Sequence, residues 1–332
     1  MSYFYRPFYP PVSLSERCFF SWYFAKLLFM KTLGYIGLGK MGGNMVFRLL
    51  EHGWKIAAYD PIAENVREVE EKGARGTGSL KALIEKTETP RLLWLMVPHQ
   101  RVDDVLKTVT PLLNKGDTII DGGNSNYRES IRRYRELKEK GLGFLDVGVS
   151  GGPQGAREGA CVMVGGEKGL FEKHEVLFKD MAAPDAYGYM GRSGAGHFVK
   201  MVHNGIEYGM MQAIAEGFAV IKASDFDIDL REVCRVYNHR SVIESRLTGW
   251  LQKAFEEYGD DLDEISGSVS HSGEGLWTVE NAKESGVSVP VIKESLKFRE
   301  ESQNNPSYTG RILSALRNRF GGHEVKKKLN RP

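Results

Sequence analysis

Lys200 and Glu207 are the side chains best placed for joint chemistry, because they lie seven positions apart in one predicted helix. That spacing is about two helical turns, so both side chains face the same side. His203 and Asn204 come one turn after Lys200 and extend this polar face. An amine, an imidazole, an amide and a carboxylate in succession are suited to proton transfer.

The alternative interpretation is a solvated helix face with ordinary charge pairing, and the glycines argue against it. Gly194, Gly196, Gly205 and Gly209 surround the polar face. Each glycine costs roughly 1 kcal/mol of helix propensity relative to Ala, and a surface helix has no reason to accept that cost. We therefore expect a ligand or another helix to approach this face closely.

The composition is that of a soluble globular chain without an evident macromolecular partner. The 332 residues allow two domains, and 41% hydrophobic with 27% charged residues argues against membrane and disordered classes. A formal charge of +2 offers no basic field for nucleic acid. Cys18, Cys161 and Cys234 lack metal-ligand spacing and suit a reducing compartment, so we expect a cytoplasmic protein without a metal site.

Residues 1–29 differ from the rest, since Phe, Tyr and Trp crowd them. The apolar run 18–30 is too short for a membrane span and lacks the cleavage pattern of a secretory signal. Met30 leads straight into a predicted strand. We expect that Met30 is the natural start and that residues 1–29 are a dispensable extension.

A dinucleotide-binding turn follows the first predicted strand, residues 32–36. It is a GxGxxG motif, and the amphipathic residues 44–51 behind it predict a helix. In this context the glycines allow the tight turn, the approach of a pyrophosphate and close helix packing. The helix N-terminus supplies amides and partial positive charge for the phosphates. The expected dinucleotide contacts are Gly37, Leu38, Gly39, Lys40, Met41 and Gly42.

Asp60 ends the second predicted strand, residues 54–59. An acidic residue there accepts hydrogen bonds from the adenosine ribose hydroxyls and repels a 2′-phosphate, so we expect NAD rather than NADP. Arg67 and Arg75 lie nearby in sequence, and either could support NADP by folding over the ribose. Asp60 could also serve as the N-cap of a helix that starts at Pro61.

Strands and helices alternate as far as residue 149, which predicts an α/β Rossmann-type domain with a doubly wound parallel sheet. Ligands bind beyond the carboxyl ends of strands in such sheets, where the polar or glycine-rich loops 97–100, 121–125 and 148–153 fall. The alternative interpretation is that these glycines only form turns. That would explain one glycine-rich loop well, but it explains three such loops less well. Further predicted strands are 91–97, 117–121 and 144–149, with helices at 102–113 and 127–140. The further cofactor contacts that we expect are Met96, Val97, Pro98 and Asn124.

From residue 194 the pattern becomes helical, which predicts a second, all-helical domain. The predicted helices are 197–223, 230–238, 241–257, 291–302 and 308–319. We therefore expect a NAD-binding Rossmann domain over 30–191 and a helical substrate and dimerisation domain over 192–310.

Five motifs occur in a familiar order: the glycine turn 37–42, then 121–125 (DGGNS), 150–152 (SGG), 200–208 (KMVHNGIEY) and 320–323 (FGGH). With them the chain from Met30 onward resembles the decarboxylating 6-phosphogluconate dehydrogenases, in particular their short-chain, mostly NAD-linked branch. The resemblance implies oxidation of 6-phospho-D-gluconate at C3, loss of CO2 and release of ribulose 5-phosphate, without a metal.

The resemblance also implies roles for the helical residues. Lys200 would be the general base at the C3 hydroxyl and must be neutral when substrate binds, which requires a lowered pKa. Glu207 would protonate C1 of the enediol, which requires a raised pKa. The implied substrate ligands are Asn124, Ser150, Gly151, Gly152, Lys200, His203, Asn204, Glu207, Tyr208 and Arg299.

The C-terminal residues 311–332 would, by the same resemblance, be a tail that reaches a partner subunit. Arg317 and His323 match residues that enter the neighbouring site, so we expect a homodimer or homotetramer with a shared active site. One departure concerns the long-chain signature Lys-Gly-Thr-Gly-x-Trp, where this chain has Ser272 at the lysine position and Glu274 two residues later. A phosphate-binding charge is missing there, which leaves room for other sugar acids.

Two rival functions follow from the same residues. Another β-hydroxyacid dehydrogenase, such as a hydroxyisobutyrate or tartronate semialdehyde enzyme, would share the fold and the lysine. Glu207 and residues 320–323 argue against it, because a reaction without decarboxylation needs no second proton donor there. A nucleotide-sensing protein without catalysis would not need both Lys200 and Glu207.

Overall fold

The computed structural model describes residues 31–271 and 273–322. The expectations for residues 1–29, Ser272 and His323 therefore lie outside the described residues. A mixed α/β domain precedes a helical one, so the predicted fold class is confirmed. None of the helices in the described stretches combines the length and the apolar character that a membrane crossing requires.

The α/β domain begins with a strand and contains every strand of the described chain. Its strands are β1 (Thr32–Ile36), β2 (Lys55–Tyr59), β3 (Arg75–Gly76), β4 (Leu92–Leu95), β5 (Thr118–Asp121), β6 (Gly143–Ser150), β7 (Ala160–Gly166) and β8 (Ala182–Gly191). Its α-helices are α1 (Lys40–Glu51), α2 (Ala63–Glu70), α3 (Leu80–Lys86), α4 (Val102–Val109), α5 (Tyr127–Glu139), α6 (Gly152–Glu158) and α7 (Lys168–Met181).

The sheet has the order β3-β2-β1-β4-β5-β6-β7-β8. The strands that the sequence predicts, as far as residue 149, pair in parallel as expected. β7 and β8 were not predicted, and β6 and β7 form the antiparallel pair of the sheet. The connection 151–159 is too short to carry the chain back across the sheet, since a parallel crossover needs about a dozen residues or more. β7 therefore starts beside the end of β6, where Ser150 pairs with Cys161.

The helical domain is built around the 28-residue helix α8 (Ala195–Lys222). It continues with α9 (Leu230–Tyr237), α10 (Arg246–Tyr258), α11 (Glu274–Glu284), α12 (Pro290–Glu301) and α13 (Tyr308–Gly321). The sequence did not predict α11, because its apolar residues are too few to show a helical period.

Residues 311–321 belong to α13 and pack in the helical core rather than projecting as a tail. Ile312, Leu313 and Leu316 are fully buried in one cluster with residues of α8 and α10. Burial of those side chains is worth roughly 2 kcal/mol each, so the helical layer holds this segment firmly. The helix α13 runs through residue 310, where we predicted the helical domain to end and the tail to begin.

Candidate active site

The N-terminus of α8 is fixed to the sheet by Asp146, a fully buried carboxylate on β6. Its Oδ1 accepts a hydrogen bond from the Gly194 amide at 2.7 Å and its Oδ2 one from the His197 amide at 3.0 Å. A negative charge is favourable at this end of a helix, where amides lack partners. Asp146 thus sets where the polar face of α8 meets the sheet.

Glycines allow α8 to lie directly against β6 and β7. A Cβ at Gly196 would lie 2.3 Å from the Asp146 carbonyl oxygen, and one at Gly148 would lie 2.3 Å from the Lys200 Cβ. Both are closer than real Cβ contacts, so each position requires glycine. We expected a ligand or another helix to approach the polar face of α8 closely. The sheet makes part of that approach, and Lys200 therefore lies against the end of β6.

Hydrogen bonds link Lys200, Asn204 and His203 on the polar face and continue to Ser150, and Glu207 lies beside them. Lys200 Nζ donates to Asn204 Oδ1 at 2.7 Å, and the same oxygen lies 3.1 Å from His203 Nδ1. His203 Nε2 lies 3.1 Å from Ser150 Oγ at the end of β6. Glu207 Oε2 is 3.8 Å from His203 Nδ1. The four residues of the helix and Ser150 of the sheet thus form one site.

Burial shifts the pKa values of the two catalytic candidates in opposite directions. It lowers the pKa of the Lys200 amine, although the Glu207 and Glu274 carboxylates oppose the change. It raises the pKa of Glu207, against the charges of Lys200 and Arg299. Burial and then the Lys200 charge lower the pKa of His203. Burial thus shifts the amine toward its neutral form and the carboxyl group toward its protonated form.

An arginine-bearing end of the cleft lies beyond Glu207. The Arg299 guanidinium carbon sits 3.4 Å from the Tyr208 ring centroid, and Arg299 is only 1% exposed. Its Nε and the Tyr208 hydroxyl have no hydrogen-bond partner among the described residues. Burial lowers the pKa of Arg299 to about 10. A buried guanidinium without a carboxylate partner is costly, and a bound anion would compensate it.

Arg317 lines the cleft of its own chain, and its entry into a neighbouring subunit's site stays a prediction. Its Nη1 donates to Ser270 Oγ at 2.9 Å, and burial lowers its pKa. Arg317 points into the cleft because it lies on the face of α13 that is turned away from solvent. One chain therefore supplies both arginines.

A single cleft of ≈ 1110 Å³ between the two domains brings most predicted residues together. Gly37, Leu38 and Asp60 do not line it. The predicted residues that line it are Gly39, Lys40, Met41, Gly42, Met96, Val97, Pro98, Asn124, Ser150, Gly151, Gly152, Lys200, His203, Asn204, Glu207, Tyr208, Arg299 and Arg317.

The glycine turn has the shape that a dinucleotide pyrophosphate requires. Gly37 has φ 96°, and a Cβ there would lie 2.3 Å from the Met96 carbonyl oxygen. Gly39 has no atom within 4 Å of the position of a Cβ, so space is open at the N-terminus of α1. These residues therefore fit a dinucleotide.

Asp60 supports the same turn from the end of β2. Its Oδ2 accepts a hydrogen bond from the Leu38 amide at 2.7 Å, and its Oδ1 accepts one from the Ile62 amide at 2.8 Å. Ile62, not Asp60, is the N-cap of α2, so the alternative N-cap role for Asp60 is wrong. Arg67 and Arg75 were the two arginines that could bind a 2′-phosphate. Arg67 forms an ion pair with Glu64 on α2.

Sequence reasoning missed three residues of the site. The available signal for Asp146 was that it is the lone acidic residue in an otherwise apolar strand. Glu274 lines the cleft from the unpredicted helix α11, and Arg246 lines it from the first turn of α10. No spacing relates the last two to Lys200, because they approach it only through the packing of separate helices.

Comparison with known proteins assigns the two halves of the chain to one family. Residues 32–191 match the model of the NAD binding domain of 6-phosphogluconate dehydrogenase, and residues 196–311 match that of the 6-phosphogluconate dehydrogenase C-terminal domain. The Bacillus subtilis protein YqeC, provisionally named a 6-phosphogluconate dehydrogenase, is 50% identical over 296 residues, which cover 89% of this chain and 99% of YqeC.

Two further relatives have more specific names. The NAD(+)-dependent, decarboxylating 6-phosphogluconate dehydrogenase of Haloferax volcanii is 40% identical over 298 residues, covering 89% of this chain and 99% of that enzyme. The solved Plasmodium falciparum 6-phosphogluconate dehydrogenase has a TM-score of 0.72 and 29% identity over 86% of this chain and 70% of that one. The chain therefore belongs to the 6-phosphogluconate dehydrogenase family.

Proposed function

We propose that the protein oxidises 6-phospho-D-gluconate at C3 with NAD and decarboxylates the product to ribulose 5-phosphate and CO2. The observation that carries this proposal is the pair Lys200 and Glu207. Burial pushes their pKa values in opposite directions in a cleft that ends at two buried arginines. The names of the Haloferax and Plasmodium enzymes support the same substrate.

Lys200 is the general base of the first step. A neutral amine accepts the C3 hydroxyl proton, and its lowered pKa makes the neutral form accessible when the substrate arrives. Asn204 accepts one Lys200 hydrogen bond and so orients the amine. The resulting ammonium then donates to the new C3 carbonyl oxygen and stabilises the negative charge that develops as CO2 leaves.

Glu207 is the acid of the last step. Burial raises its pKa, which favours the protonated carboxyl group that this step requires, and its proton passes to C1 of the enediol. His203 lies 3.8 Å from Glu207 and also faces Ser150, so it links the acid to the sheet side of the site. The β-keto acid accepts the electrons of the C–C bond itself, so these residues need only move protons.

The two ends of the substrate are recognised by different groups. Arg299, Arg317 and Tyr208 bind the phosphate, because they present buried donors at the far end of the cleft. Asn124 and the Ser150-Gly151-Gly152 turn bind the carboxylate end, while His203 and Asn204 contact hydroxyls. An unphosphorylated acid of three or four carbons would leave both arginines uncompensated.

The glycine turn and Asp60 hold the cofactor. A bound nicotinamide would accept the hydride from C3. The Asp60 carboxylate lies beside the turn at the end of β2, where it accepts ribose hydroxyl hydrogen bonds and repels a 2′-phosphate. Arg67 is already paired with Glu64, which supports NAD over NADP.

A homo-oligomer is part of the proposal, with the helical domain as the interface. Ile206, Met210 and Val220 form an apolar stripe on α8 and are 53%, 44% and 72% exposed. Ile206 and Met210 also border the cleft, so a partner subunit would cover its rim.

The test is steady-state reduction of NAD and NADP with 6-phosphogluconate, gluconate and small β-hydroxy acids, with released CO2 measured in parallel. We expect turnover of the phosphorylated acid with one CO2 per NADH and a preference for NAD. Lys200→Met should abolish turnover, whereas the matched control Lys222→Met on the exposed end of α8 should not. Activity on unphosphorylated acids alone, without CO2, would contradict the proposal.

A further inference from the structure

Glu274 is a buried carboxylate in the cleft to which neither the sequence nor the comparisons give a role. It is the first residue of α11 and is 2% exposed. Its Oε2 has no hydrogen-bond partner among the described residues, although it lines the cleft. A buried carboxylate oxygen without a donor is unfavourable, and a hydroxyl of a molecule bound in the cleft would relieve that cost.

The first turn of α11 is held rigidly against α8. A Cβ at Gly275 would lie 2.5 Å from the Tyr208 ring, so only glycine allows this contact. Thr278 Oγ1 is 2.8 Å from both the Met201 carbonyl oxygen and the Glu274 carbonyl oxygen. Because Tyr208 in turn stacks on Arg299, these contacts fix Glu274 near the arginine end of the cleft.

Glu274 lies near the arginine end of the cleft, and its charge also reaches the catalytic end. Its charge acts on Lys200 and Glu207 on one side, and on Arg299 and Arg317 on the other. If a ligand has its anionic end at the arginines and its reacting carbon at Lys200, we expect the carbons between them to lie beside the Glu274 carboxylate, because all four side chains line one cleft. In the proposed substrate those carbons are C4 and C5, and each of them carries a hydroxyl.

The groups without partners at this end also show what ligand they accept. Glu274 Oε2 can only accept hydrogen bonds when ionised, whereas Arg299 Nε and the Tyr208 hydroxyl can donate. A purely anionic ligand would satisfy the donors and leave the carboxylate facing a like charge. A polyol phosphate satisfies all three, since its hydroxyl donates to Glu274 and its phosphate accepts from the other two.

We propose that Glu274 is a specificity-determining residue that accepts a hydrogen bond from the C4 or C5 hydroxyl of the bound sugar acid. This inference rests on the proposed function. It predicts that the enzyme rejects a substrate lacking that hydroxyl, and that the rejection originates in the Glu274 carboxylate.

The experiment compares 6-phosphogluconate with its 4-deoxy and 5-deoxy analogues in the wild type and in Glu274→Met, which removes the acceptor at similar length. A hydrogen bond to a charged group predicts that the wild type disfavours one analogue by about 10- to 100-fold in kcat/KM. The variant should lower kcat/KM for the full substrate and reduce that discrimination to less than about 3-fold. The control Glu280→Met, on the exposed side of α11, should discriminate like the wild type.

NAD-dependent thermal stabilisation of each variant reports whether it is folded. If Glu274→Met is not, the isosteric Glu274→Gln replaces it and should show an intermediate discrimination. Equal use of all three substrates by the wild type, or full discrimination by the variant, would overturn the role of Glu274 while the proposed function stands. Absence of wild-type turnover of 6-phosphogluconate would overturn both.

Discussion

Replacement of Arg299 by Met should stabilise the empty protein while it disables substrate binding. Burial lowers the pKa of Arg299 from the usual value of an arginine to about 10, which corresponds to about 3 kcal/mol of opposition to folding. Because the folded-state pKa is the lower one, this opposition is fully present below about pH 10 and fades as the pH rises toward the pKa of arginine in the unfolded chain. At neutral pH the Arg299→Met variant does not carry this cost of burying a charge.

The variant also loses the stacking of the guanidinium on Tyr208, which is worth about 2 kcal/mol in a desolvated site. The net expectation is therefore a gain of about 1 kcal/mol in the free energy of unfolding. The loss of charge-assisted hydrogen bonds to the phosphate, about 3 kcal/mol, should raise KM for 6-phosphogluconate on the order of 100-fold.

Urea unfolding with and without 6-phosphogluconate measures both effects in one series. The wild type should be stabilised by the ligand and Arg299→Met should not. Lys297→Met is the matched control, since Lys297 lies on the exposed side of the same helix. A variant that is destabilised by about 2 kcal/mol and keeps its KM would refute this account and make Arg299 a structural residue.

Asp146→Asn should lower the free energy of unfolding in urea by about 2 kcal/mol, because the carboxylate caps α8 through two amides; the exposed control Asp227→Asn should change it little, and an equal loss in both would contradict the capping role. Asp60→Ala should raise kcat/KM with NADP relative to NAD by about 10-fold or more, since a repulsive charge is removed; an unchanged ratio would exclude Asp60 as the discriminating residue. For pH dependence, kcat/KM should rise with pH as Lys200 loses its proton at a lowered pKa and fall as Glu207 loses its proton at a raised pKa. Glu207→Gln should reduce kcat by about 100-fold and remove the alkaline limb, and a retained limb would assign it to another group.

Local features of the sequence determined the dinucleotide domain and the polar face of α8. The glycine turn lies directly between a strand and a helix, and Gly37 indeed has a positive φ that other residues rarely adopt. Lys200, His203, Asn204 and Glu207 share one face because helical periodicity is a property of neighbouring residues. The length of the chain and the alternation of strands and helices were sufficient to predict an α/β domain followed by a helical domain.

Sequence reasoning failed where residues far apart in the chain meet. The antiparallel pairing of β6 with β7 depended on the short connection 151–159, and the helix α11 lacked a periodic apolar signal. The resemblance alone implied a C-terminal tail, and the apolar spacing of residues 312–316 did not say which helices they pack against.

Tertiary structure alone decided the chemistry of the site. The opposite pKa shifts of Lys200 and Glu207 come from burial, which the sheet, α11 and α12 impose together. Arg299 has the burial and the unpartnered donor that suit an anion only because Tyr208 covers it and no carboxylate of the described residues pairs with it directly. Periodicity places a side chain on a face, but desolvation and pairing depend on what packs over that face, and those neighbours come from distant parts of the chain.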